Sequence, residues 1–126
     1  MKYNIPMLQA VAEKTANDFW LKAFSVFTKG IGKRPAIIMN ARLTATAGRA
    51  FLEDGKIDLS CYLMTNNLDL FKIDTIPHEL CHIIAWRLYG DKGHGKGWKY
   101  VMGEMGVNGK RCHTLMTKAQ AEKRGL

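Results

Sequence analysis

The run His78-Glu79-Leu80-Cys81-His82, with His94 twelve residues beyond inside Gly93-His94-Gly95-Lys96-Gly97-Trp98, sets the tightest constraint on how this chain can fold. Two histidines four residues apart lie one above the other on a helix face, at roughly 6 Å, and so can reach one metal ion. A helix leaving that point carries the chain away for about two turns, roughly 11 Å, before His94 can act as a third ligand. Gly90-Asp91-Lys92-Gly93 is the glycine-bounded segment that reverses it. Glu79 is rotated about 100° from His78, out of the ligand set yet within reach of a water on the metal. Zinc lowers the pKa of such a water to roughly 7, and a neighbouring carboxylate takes its proton. This is the layout of a hydrolytic zinc centre: His78, His82 and His94 as ligands and Glu79 as base. A closed structural zinc site needs no such carboxylate.

Rival readings of the same residues are weaker. The HExxHxxGxxH pattern needs a glycine and a histidine where this chain has Ala85 and Leu88. Glu104 is a more distant alternative to His94, and Cys112 with His113 is too small a set for a second metal. Cys81 points about 100° away from His82 and reads as a small buried apolar residue. Trp98 recurs with Val101 and Met102 at helical spacing, which favours core packing over stacking on a ligand. Arg87, Tyr89 and Tyr100 are candidates for stabilising a transition-state oxyanion.

The expected fold class is α+β. Leu8, Val11, Ala12, Phe19, Ala23 and Phe27 predict an amphipathic helix over about 7–28, ended by Gly30. Residues 35–39, 42–51 and 56–63 carry strand-forming residues, and Glu53-Asp54-Gly55 predicts a hairpin between the last two. A small, mainly antiparallel sheet of about three strands follows. Pro77 sits in the first turn of the motif helix, which then runs to about Tyr89, with Asp74 or Thr75 expected to cap it. A short helix is expected from about Lys96 to Gly106, and a turn at Asn108-Gly109 with a helical stretch around 118–123 after it.

The 126 residues fit a single domain, 1–126, with a basic tail over 107–126. Three cysteines without a CxxC pair suggest neither a disulfide framework nor a cysteine-based zinc ribbon, and read as reduced thiols of a cytoplasmic protein. No signal-peptide run or membrane-length apolar stretch is present, so no membrane partner is expected. Net charge is +8, and from Lys92 onward eight basic residues face two acids, which makes DNA a candidate partner through the basic C-terminal third. Oligomeric state is not legible.

The motif His78–His82, its spacer, and Gly93-His94-Gly95 followed by Trp98-Lys99 and Met102 resemble the SprT-like family of zinc metallopeptidases. Asn40-Ala41-Arg42-Leu43, Thr46-Ala47-Gly48-Arg49-Ala50 and Ile57-Asp58-Leu59-Ser60 extend the resemblance over about residues 35–106. The resemblance implies a zincin-like α+β core, zinc held by His78, His82 and His94, and Glu79 as catalytic acid/base. It further implies hydrolysis of peptide bonds in protein substrates, DNA-associated proteins among them. Many relatives add a cysteine-rich zinc ribbon that has no counterpart in this sequence. The alternative, from a different class, is a DNA-associated binding module with a mainly structural zinc and little hydrolytic activity.

Overall fold

Leu8, Ala12, Ala16, Trp20 and Ala23 form one buried stripe along α1, Ile5–Val26, at the spacing that places them on a single helix face. Asn4 caps the helix by accepting from the Met7 amide at 3.1 Å, with Pro6 in the first turn, so α1 starts about two residues earlier than its periodicity suggests. It stops at Val26 because Phe27 turns extended and buries its ring. In the computed structural model, which describes residues 3–107 and Lys123, there follow β1 (Ala36–Asn40), β2 (Gly48–Phe51), β3 (Lys56–Ser60), α2 (Cys61–Asn66) and the short α3 (Leu68–Leu70). A π-helical turn, Phe71–Thr75, then leads into α4 (Ile76–Tyr89), and α5 (Lys96–Glu104) closes the described core. The expected features at Asn108-Gly109, Cys112, His113 and 118–122 lie outside the described residues.

Three strands form, but β2 occupies only the end of the expected 42–51 and β3 stops at Ser60, whose side chain caps α2 so that residues 61–63 are helical. β2 and β3 are an antiparallel pair joined through Glu53-Asp54-Gly55, with Gly55 at φ +66°. The sheet is nevertheless mixed. β1 runs parallel to β3, from Ala36 opposite Lys56 to Asn40 opposite Ser60, giving the order β1-β3-β2. The connection over 41–47 is too long for a tight hairpin, so β1 and β2 are free to take opposite sides of β3. As the central strand, β3 is buried from Ile57 to Ser60, which forces Asp58 to be paired. Arg49, its register partner, donates to it from Nε at 3.1 Å and Nη2 at 2.7 Å, and Asn40 donates at 2.9 Å. Burial alone would raise the Asp58 carboxyl; these bonds and the Arg49 charge hold it below its ordinary value.

α4 packs against α1, β2 and α5, with Leu80, Ile83 and Ile84 fully buried, each stabilising by roughly 1.5–3 kcal/mol. Neither Asp74 nor Thr75 caps it. Thr75 is already helical, at φ −58° and ψ −50°, and the Ile76 amide donates five residues back to Phe71. Pro77 lacks an N–H and crowds the carbonyl four residues before it, and the wider π turn directly upstream accommodates that defect without breaking the helix. Gly90, in the left-handed region at φ +68°, ends α4.

Asp91 then organises the return. Its Oδ1 accepts from the Gly93 amide and its Oδ2 from the Trp98 amide, each at 2.9 Å, so it caps α5 from outside the helix. The Trp98 bond first, then the Gly93 bond, hold its carboxyl below the usual range. A Cβ on Gly95 would stand 2.9 Å from Asp91 Oδ2, which explains the need for glycine there. Replacing Asp91 with Ala should lower the Tm by a few degrees and speed hydrogen exchange at the Trp98 amide about tenfold, with Asn recovering part of the loss; unchanged exchange at Trp98 would show that the brace carries no weight.

Candidate metal centre

One turn of α4 presents His78 and His82 with ring centroids 5.2 Å apart, and the Asp91-braced loop brings His94 to 4.6 Å from His82 and 5.6 Å from His78. One ligand nitrogen from each ring falls in a group whose members all lie within 4.8 Å of one another. His82 Nε2 and His94 Nε2 stand 3.1 Å apart. Two nitrogens each about 2.0–2.1 Å from a tetrahedral zinc are separated by roughly 3.3 Å, so the spacing fits one small divalent ion. Among the described residues this is the one group of histidine, cysteine and carboxylate side chains that could hold a metal. Glu104 is not in it, and Cys81 is fully buried with its thiol pKa raised by that burial.

Trp98, 1% exposed, forms the floor. Its ring lies 4.4 Å from His94, 4.8 Å from His78 and 5.2 Å from His82, nearly parallel to the last at 17°. Core packing is therefore the right reading of its helical spacing, and the surface it packs on is the imidazole cluster itself. Burial first, and then the neighbouring His78 and His94 rings, push the His82 pKa down to about 4, against a weaker upward pull from Asp91 and the Gly93 backbone. Neutral imidazole is the form that binds a metal, so the cluster is electrostatically prepared for one at neutral pH.

Glu79 lies beside this group under the edge strand β2. A Cβ on Gly48 would meet Glu79 Cγ and the Asp58 carbonyl at 3.3 Å and Leu59 Cδ2 at 3.1 Å, so glycine lets the strand pass directly over the carboxylate stem. Burial, and then the negative charge of Asp58, push the Glu79 carboxyl up to about 8. Sequence reasoning did not find Gly48, Asp58 or Asp91 as parts of the site. The one local signal was for Asp91, a carboxylate set between glycines where amide donors cluster. The oxyanion candidates are placed elsewhere: the Arg87 guanidinium donates to the Ile31 and Lys33 carbonyls, and Tyr89 and Tyr100 meet edge to face at 5.9 Å as half-exposed side chains.

The profile of the SprT-like family matches residues 16–119. Proteins named Protein SprT from Salmonella newport (strain SL254), Salmonella heidelberg (strain SL476) and Salmonella agona (strain SL483) are each 40% identical to the chain over 81 residues. That alignment covers 63% of this chain and 48% of each relative, so it spans about half the length of these curated proteins. No solved structure matches. With the matched segment enclosing the sheet, α4 and the three clustered histidines, the chain belongs to the SprT-like family.

Proposed function

We propose that this protein is a zinc-dependent endopeptidase acting on protein substrates. The observation that carries the reading is a half-buried carboxylate, Glu79, next in the chain to the first of three imidazoles whose nitrogens converge within 4.8 Å. When bound there by His78, His82 and His94, zinc supplies a Lewis acid that polarises a carbonyl and lowers the pKa of water to roughly 7. Glu79 takes the proton from the attacking water and returns it to the nitrogen of the leaving amine. In the metal-free protein the raised proton affinity of Glu79 favours holding that proton for delivery, and the charge of a bound zinc would lower it to where the carboxylate can first accept the proton. Trp98 excludes water from beneath the imidazoles. What favours a peptide as substrate is β2, a sheet-edge strand passing over Glu79, on which an extended chain can pair by its main chain.

The described residues contain no helix long and apolar enough to cross a membrane. Cys61 and Cys81 are buried free thiols, which suits a reducing compartment such as the cytoplasm. A second reading, association with DNA, is favoured by the +8 charge and by a hollow of about 400 Å³ lined by Tyr89, Lys96, Gly97 and Tyr100, where exposed rings beside a lysine suit base stacking. That binding should weaken steeply with salt and with Tyr100→Ala; a salt-independent or Tyr100-independent affinity would remove it.

Two predictions test the main reading. The purified protein should contain close to one zinc per chain by elemental analysis, and Glu79→Gln should keep that zinc while losing about 10²–10⁴-fold in cleavage of a protein substrate; undiminished cleavage would end the assignment. The second concerns metal-free protein. With Glu79 near 8 when folded and near 4.5 when unfolded, the folded state binds more protons between those values. The stability this gives is complete below about 4.5 and lost as pH rises through about 8. Metal-free Glu79→Gln has no such loss, so its Tm advantage over wild type should grow from pH 5 to pH 9, by at least about 4 °C; a difference independent of pH would mean Glu79 is not buried as a carboxyl.

A further inference from the structure

At the end of α4 away from His78, Arg87 carries a cation that no carboxylate pairs among the described residues. Its Nη1 donates to Ile31 O at 2.8 Å and to Lys33 O at 2.6 Å, and the guanidinium lies 5.8 Å over the Trp20 ring. Two glycines let the backbone close around it: a Cβ on Gly32 would stand 3.1 Å from Nη1, and one on Gly55 would stand 3.0 Å from Nη2. Both have left-handed φ, +78° and +66°. The group is thus fixed in place before any ligand arrives. Of its five N–H donors, the two on Nη1 serve the loop carbonyls. The Nε–Nη2 edge, which grips an oxyanion in a two-pronged fork, makes no hydrogen bond with the described residues.

That guanidinium lines a hollow of about 430 Å³ together with Lys33, Arg34, Ala36, Asp54 and Gly55. Three cations face one lining carboxylate, Asp54, while Glu13 of α1 pairs with Arg34 from the side. Arg87 is an exposed residue, and partial desolvation with only neutral carbonyls as hydrogen-bond partners lowers its pKa from the ordinary value. A carboxylate ligand would be satisfied by the fork alone. A tetrahedral anion has further oxygens for Lys33 and Arg34, and the volume falls in the range of small-molecule sites. Arg87 follows His82 by five residues, which turns it about 140° round α4, and the hollow shares no lining residue with the metal centre.

We infer that this hollow binds a phosphate group, either free or carried by a small phosphorylated molecule. The inference is independent of the peptidase reading. Backbone amide shifts of the wild-type protein would be followed by NMR during titration with ribose 5-phosphate, inorganic phosphate and ribose, against sodium chloride at matched ionic strength. Saturable shifts at Gly32, Ala36 and Gly55 are expected with both phosphates and not with ribose or chloride; the tighter of the two identifies the source. Lys33→Glu, whose side chain lies outside the carbonyl clamp, should weaken binding about tenfold with an unchanged Tm and unchanged metal content. Arg87→Lys keeps the charge and loses the fork, and where it folds it should weaken binding as well. The inference fails if the shifts do not saturate, if chloride reproduces them, if Lys33→Glu leaves them intact, if they gather at His94 instead, or if only a single-stranded oligonucleotide produces them.

Discussion

The indole of Trp98, packed against all three imidazoles at centroid distances of 4.4 to 5.2 Å, is the contact on which the rest of the structure depends. Three imidazoles brought together in water would share out protons according to pH. On a floor that is 1% exposed, each added positive charge is desolvated and repelled by its neighbours, and His82 is driven to about 4. The lone pairs that a metal requires are therefore available at neutral pH without a further deprotonation step. The Gly90 reversal, the Asp91 brace and the apolar edge of Val101 and Met102 all act by seating that indole.

What the sequence made legible was whatever is encoded at short range. Helical spacing located α1, α4 and α5, and Glu53-Asp54-Gly55 located the β2–β3 turn, because period and turn chemistry are local properties. The gathering of three histidines that could hold a metal is legible for the same reason: a four-residue spacing stacks two of them, and the glycine-bounded return brings in the third. The parallel pairing of β1 with β3 was not, since it joins residues twenty positions apart and leaves no local mark. Pro77 does lie in the first turn of α4, as proline's preference implies; that a π turn runs directly into that turn from upstream is something no propensity announces. The chemistry of Arg87 suits an oxyanion, but residue type does not say which way a long side chain reaches, and the carbonyls of Ile31 and Lys33 claim its Nη1.

The π turn also bears on the proton at Glu79. A helix beginning at Ile76 would place Glu79 in its first turn, where unpaired amides and the positive end of the helix dipole stabilise a carboxylate. In this chain the helical path continues upstream to Leu68, and the Ile76 amide is already spent on the Phe71 carbonyl. The positive end is displaced from Glu79 by more than a turn, and the effect falls off within about one turn. Burial first, and then the charge of Asp58, raise the Glu79 carboxyl to about 8, and a displaced helix end leaves that rise without a dipole acting against it. Asp58 can exert that pull because Arg49 and Asn40 keep it ionised inside the sheet. The helix path through Pro77 and the Asp58 carboxylate that Arg49 of β2 pairs thus converge on one carboxyl group, and each makes a proton there easier to hold in the metal-free protein.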